Sequence, residues 1–179
     1  MKKTLKYNVP LAITALVFVI ILSMLIGTLR SVNSISKKVT AKYEVSHLKY
    51  GSPLTDTGKL VGYADQIIGI AGAAGVDCGA LRSARDAFSG VSATPFDLSQ
   101  AYSVLRSEEA VVYGAASRCE LSDSAEKSLV SYHTEFVSTC QRLAKNSYYN
   151  NQAKTYNSAI RSFPASLFFG DRKPAAVFE

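Results

Sequence analysis

The chain has 179 residues, 47% of them hydrophobic and 19% charged, with three Cys, two His and no Trp. That composition excludes bulk disorder, and the Cys and His counts exclude a disulfide-dense scaffold, a four-thiolate zinc site and a His-rich metal centre. The net charge of +6 is concentrated near the N-terminus: residues 1–50 carry eight Lys and Arg against Glu44 alone, while 51–179 carry twelve against thirteen acids. A nucleic-acid binder needs its phosphate-neutralising charge on the folded body, so nucleic acid is not an expected partner.

A short basic segment, 1–8, holds Lys2, Lys3 and Lys6. Residues 9–27 then run nineteen positions without a charge, roughly 28 Å of helix and close to the thickness of a bilayer core. A cleaved signal peptide is the competing reading. The run is longer than a signal core and no small-x-small site follows it, so an uncleaved single-pass transmembrane helix is expected over 9–29. Orientation stays open, because Lys2, Lys3 and Lys6 on one side are balanced by Arg30, Lys37, Lys38 and Lys42 on the other.

Val32, Ile35, Val39, Tyr43 and Ser46 recur at spacings of three and four, which extends the membrane helix outward as an amphipathic rod. The Gly51-Ser52-Pro53 cluster should end it in a turn reaching to about residue 58. A second helix is expected over 60–89, with a kink near Gly75-Val76-Asp77 and Asp77 as a fresh N-cap. Six of the eleven glycines fall between Gly58 and Gly79. Gly69, Gly72 and Gly75 lack the strand, the Lys-Ser or Lys-Thr and the βαβ context of a phosphate loop, so they read as small residues allowing close helix approach. The apolar run 67–76 is too short to span and suits a buried or membrane-skimming helix.

Thr94 as N-cap, Pro95 at N1 and Asp97 at N3 predict the start of a third helix. Its stripe is Leu98, Ala101, Tyr102, Leu105, Val112, Ala116 and Cys119. A fourth helix is expected over 123–162, with a slip of register near Asn146, stopping before Phe163-Pro164. No useful alternating strand occurs. The fold class is therefore all-α: an N-terminal transmembrane helix continuing into an elongated antiparallel bundle of about four long helices, 30–162, with an apolar tail, 163–179.

The last sixth of the chain carries a recognisable pattern. Tyr149-Asn150, Tyr156-Asn157 one heptad on, Ile160, Phe163-Pro164, then Leu167-Phe168-Phe169-Gly170, Lys173-Pro174 and Phe178-Glu179 resemble the end of the last helix and the tail of LemA family proteins. The chain departs from that family in lacking a Trp in the first rod and in its Gly-rich second helix. The resemblance implies a divergent bacterial membrane protein, in the inner or cytoplasmic membrane, with no established enzyme activity.

Tyr149 and Tyr156 share one helix face and are expected in the core, each hydroxyl finding a partner. Asn150 and Asn157 lie on the adjacent stripe and are suited to fixing register across helices; a partner-binding face is the sharper reading of all four. Phe168, Phe169 and Phe178 are too apolar for a free tail, so the tail should fold back, on the bundle or on a partner. His47 and His133 lack the convergent ligands of a metal site, and Glu108-Glu109 point apart. No catalytic constellation, metal site or cofactor is expected. The cysteines read as buried small hydrophobes, with a Cys78–Cys140 bridge sterically open and a Cys78–Cys119 bridge closed. The expected function is a membrane-anchored scaffold or adaptor contacting other membrane proteins. The alternative is a sensor holding a small ligand between helices, although eight residues before the anchor leave no room for an output domain there.

Overall fold

In the computed structural model, which describes residues 9–179, the apolar run opens one unbroken helix, α1 (Val9–Glu44). The basic segment 1–8 lies outside the described residues. Among those described, α1 is the one helix long and apolar enough to cross a membrane. Its first two-thirds are largely bare, whereas Val32, Val39 and Tyr43 are buried. One helix thus changes from apolar all round to amphipathic without a break.

Six further helices follow: α2 (Pro53–Ala73), α3 (Gly79–Val91), α4 (Ser99–Ala116), α5 (Asp123–Lys145), α6 (Ser147–Arg161) and α7 (Ala165–Phe169). The described residues hold no sheet, and the fold is all-α. The bundle is built in two stacked parts. Near the apolar span, α6 runs antiparallel to the outer part of α1, with Tyr149 against Tyr43. Farther out, α2, α3, α4 and α5 form an up-and-down four-helix bundle. Within it α2 and α5 are antiparallel, since Asp56 at the start of α2 meets Arg142 at the end of α5. Each charge thereby sits at the helix end that favours it, the carboxylate at an N-terminus and the guanidinium at a C-terminus.

Several boundaries differ from those the sequence suggests. The long second helix is two helices: Gly75 at φ 81° turns the chain between α2 and α3. Asp77 does not cap α3, whose N-cap is Cys78; Asp77 instead accepts from the Gly79 N–H at 2.8 Å. No turn extends to residue 58, because Ser52 caps α2 directly, with Pro53 at N1. The fourth helix also divides. Asn146 ends α5 and caps α6 through the Tyr149 N–H, at 3.1 Å. The described residues therefore hold seven helices, where about four long ones were expected.

The third helix starts later than its capping pattern suggests. Residues 94–98 do not wind, and α4 begins at Ser99 with no side-chain cap. The Asp97 N–H donates to the Pro174 carbonyl at 3.1 Å, the Ala176 N–H donates to the Pro95 carbonyl at 2.7 Å, and Asp97 has φ 65°. Pairing with the C-terminal tail outweighs a locally adequate cap.

The cysteines are free, with Cys78 and Cys140 buried and Cys119 half-buried. A Cys78–Cys140 bridge does not fit this layout. Cys140 lies near the end of α5 beside the start of α2, while the Cys78 thiol rests on the Ile68 and Val76 carbonyls at the other end of α2.

Three of the four α2 glycines do not mediate close approach, and the fourth, Gly72, faces only the tip of the Arg82 side chain. The buried face is Leu60, Ala64, Ile67, Ile68 and Ala71, while a Cβ added at Gly58, Gly62 or Gly69 would meet nothing within 4 Å. These residues loosen an exposed helix face. Gly62→Ala and Gly69→Ala should each stabilise the fold by about 0.5–1 kcal/mol, chiefly by restricting the unfolded chain. Chemical denaturation of each variant checks this, with a raised midpoint and an unchanged slope expected.

Candidate functional site

Two groups of residues hold the chemistry of this molecule. The first is the Tyr-Asn pair of repeats on α6. Asn146 fixes the first turn of α6, which directs Tyr149, Asn150, Ala153, Tyr156 and Ile160 inward on one buried face. The partners of these residues are in the tail. The Tyr149 hydroxyl donates to the Ala176 carbonyl at 2.8 Å. Burial raises its pKa above the usual phenol range, so it stays protonated as the donor.

Asn157 clasps Ala175 from both sides: its amide donates to the Ala175 carbonyl and its side-chain oxygen accepts from the Ala175 N–H, each at 2.8 Å. The Asn150 oxygen accepts from the Phe178 N–H at 3.1 Å, and its amide donates to the Leu143 and Ala144 carbonyls at 2.9 and 3.1 Å. An extended segment outside a sheet must have its backbone groups satisfied somewhere. Here two asparagine side chains and the 95–97 loop take the place of neighbouring strands.

Phe178, buried to 1% exposure, then packs between Tyr149 and Tyr102, with ring centroids 5.7 and 5.0 Å away. The aromatic contacts continue to Tyr43 on α1 and Phe88 on α3. The Tyr43 hydroxyl donates to the Ser92 carbonyl at 2.6 Å and lies 3.1 Å from the Thr57 hydroxyl. This aromatic joint ties α1 and α6 to the outer four-helix bundle. Tyr149, Asn150, Asn157 and Phe178 are thus brought together. Tyr156 is buried against Phe96, and Ile160 joins the same core. Phe169 is partly buried under Arg172, 5.0 Å from its ring. Phe163 and Phe168 are exposed, with Pro164 half-buried between α6 and α7.

No family model matches the chain, and neither does any curated protein or solved structure.

The second group is a cleft of about 360 Å³ between α4 and α5, which the sequence reading did not anticipate. Arg106, Glu109, His133, Cys140, Gln141 and Glu179 are among its lining residues. Glu109 is 2% exposed and lies 2.8 Å from His133 Nδ1. The imidazole stacks flat on Tyr113, with centroids 3.6 Å apart. Arg106 donates to the main-chain oxygen of Glu179 at 2.7 Å, so the tail closes one end of the cleft. The Tyr102 hydroxyl is buried nearby, without a hydrogen-bond partner among the described residues. A sequence signal for this pair did exist. Glu109 occupies the gap between Leu105 and Val112 on the apolar stripe of α4, where a charged residue is out of place.

Burial holds the Glu109 carboxyl above the usual carboxylate range, against the opposing pull of its bond to His133. The folded chain therefore binds this proton more tightly than the unfolded chain. Its contribution to stability is full below the ordinary carboxylate pKa and falls as pH rises through the raised value. Glu109→Gln keeps the shape and removes the charge. Melting curves at a series of pH values should show the variant gaining on the parent as pH rises from acid to neutral.

Proposed function

We propose that this chain is a membrane-anchored helical scaffold or adaptor, without enzymatic activity or a cofactor, that works through contacts with other membrane proteins. In this reading it is a single-pass protein of the bacterial inner or cytoplasmic membrane and a divergent member of the LemA family. The observation that carries the reading is the continuity of α1: the apolar span and the amphipathic rod are one helix of 36 residues. A bundle packed on that rod stands off the membrane at a fixed orientation, as a presenting surface requires. The Tyr-Asn repeats that support the family resemblance then have a structural role, locking the tail and both parts of the bundle into one body.

The outward face of α4 offers a contact surface, with Val104 and Val111 exposed one heptad apart. A photo-crosslinking residue at Val111 should give discrete protein adducts in intact membranes. Adding Val104→Lys to that chain should abolish those adducts without changing the melting temperature. Adducts that persist unchanged would count against this face.

The α4–α5 cleft favours a second reading, a sensor for a small ligand. A ligand at one hundred times its Kd would stabilise the bundle by about 2.7 kcal/mol. Such a gain should be lost in His133→Ala if the cleft is the site.

A further inference from the structure

The segment after α6 leaves three large apolar side chains in the open: Phe163 is 72% exposed, Leu167 69% and Phe168 40%. Apolar groups gathered in one short segment mark an interaction surface more strongly than the same groups scattered. Their height along α1 identifies the occupant. Tyr149 sits against Tyr43, and α6 runs back along α1 for twelve residues from Tyr149 to Arg161. That is roughly 18 Å of helix, which brings Arg161 level with Ser31. Two contacts agree with this level: α7 packs on α1, and Arg172 donates to the Asn33 side-chain oxygen at 2.9 Å. The uncharged run of α1 ends only a few residues earlier, before Arg30.

We infer that residues 163–168 form a second membrane contact, a short apolar step lying in the interface of the bilayer that α1 crosses. The inference rests on the membrane-anchored reading of α1. Lipid is the occupant the page supports, because the patch is continuous in level with the apolar span. The charge around it also fits an anionic headgroup layer: Arg161 and Arg172 flank it in sequence and Arg30 lies at its level on α1, while Lys173 is paired with Asp97 and Asp171 is the only acid between 161 and 173. Interfacial segments of this kind sit about 5–10 Å into the headgroup–acyl boundary, with basic side chains reaching for phosphates. Two attachment points, one spanning and one interfacial, would fix the tilt of the bundle on the membrane.

The chain has no Trp, so a single introduced indole reports on its own surroundings. Three full-length variants, Phe18→Trp, Leu167→Trp and Val111→Trp, are reconstituted into phosphatidylcholine–phosphatidylglycerol vesicles carrying bromine either high or deep on the acyl chains. Phe18→Trp should be quenched most by deep bromines, which checks the anchor itself. Leu167→Trp should be blue-shifted and quenched most by shallow bromines, while Val111→Trp stays unquenched and open to aqueous iodide. If Phe18→Trp is quenched but Leu167→Trp is as open to iodide as Val111→Trp, the contact is refuted and the anchor stands. A blue-shifted Leu167→Trp that bromolipid cannot quench assigns the patch to protein, a second copy included, and overturns the proposal. Equal shallow quenching of Val111→Trp also overturns it, since the bundle would then lie along the surface. Loss of quenching at Phe18→Trp removes the anchor and the inference together.

Discussion

Phe178→Ala should lower the stability of the full chain in mild detergent by about 3–5 kcal/mol, the usual cost of emptying a buried Phe site. For a chain of this size that is a fall in melting temperature on the order of 10 °C. The ring fills the joint between Tyr149 on α6 and Tyr102 on α4, and its own N–H is held by Asn150. The loss should therefore separate the two parts of the bundle rather than fray one terminus. Asn157→Ala probes the same clasp more gently. It removes both bonds to Ala175 and leaves that buried backbone unpaired, a cost of about 1–3 kcal/mol. Hydrogen exchange should show the amides of 175–178 and of Phe96 and Asp97 opening together in both variants. Melting unchanged in Phe178→Ala would mean that the tail docks without contributing to the fold.

The second large effect is expected at the pair between α2 and α5. Asp56 is 3% exposed and its two oxygens accept from Arg142 Nε and Nη2 at 2.8 and 2.9 Å. The Thr139 hydroxyl accepts a third bond from the same guanidinium at 3.1 Å. Arg142→Met leaves a carboxylate buried with only Lys59 nearby, 3.7 Å away and half-exposed. Breaking such a pair from one side costs about 3–5 kcal/mol when both charges are buried; here the partly open guanidinium points to the lower end. Adding Asp56→Asn should restore much of the loss, because the uncompensated charge is then gone. If the double variant is no more stable than Arg142→Met alone, the cost came from packing and not from the stranded charge.

The helical class and the apolar span were legible because both rest on local signals, the 3.6-residue period and a run without charge. The stops at Asn146 and Gly75 were also visible, as a slip of register and a cluster of glycines. What stayed hidden depends on partners distant in sequence. Asn157 and Asn150 suggested contacts across helices, yet they bind an extended tail 18 and 28 residues further on, and a tail without periodicity gives no pattern to match. The capping pattern at Thr94, Pro95 and Asp97 misled for the same reason, because the tail takes the backbone of that loop. The α2 glycines read as a means of close helix approach, yet Gly58, Gly62 and Gly69 lie on the exposed face, while Ala64 and Ala71 share the buried face with Leu60 and Ile67 as their period suggests. Glu109 reads in sequence only as a neighbour pointing away from Glu108, yet its place on the apolar stripe of α4 is the mark of a buried pair, which His133 completes. The tail is expected to fold back by docking Phe168 or Phe169 together with Phe178: Phe178 is buried and Phe169 partly so, while Phe163 and Phe168 remain outside.

Alkaline carbonate washing of membranes that hold the full-length chain tests the central claim most directly. If α1 is an uncleaved anchor holding the bundle to the bilayer, the protein stays in the pellet at its full mass of 19.3 kDa. Release as a soluble species beginning near residues 28–35 would contradict it, making the apolar run a signal peptide and the bundle a free protein.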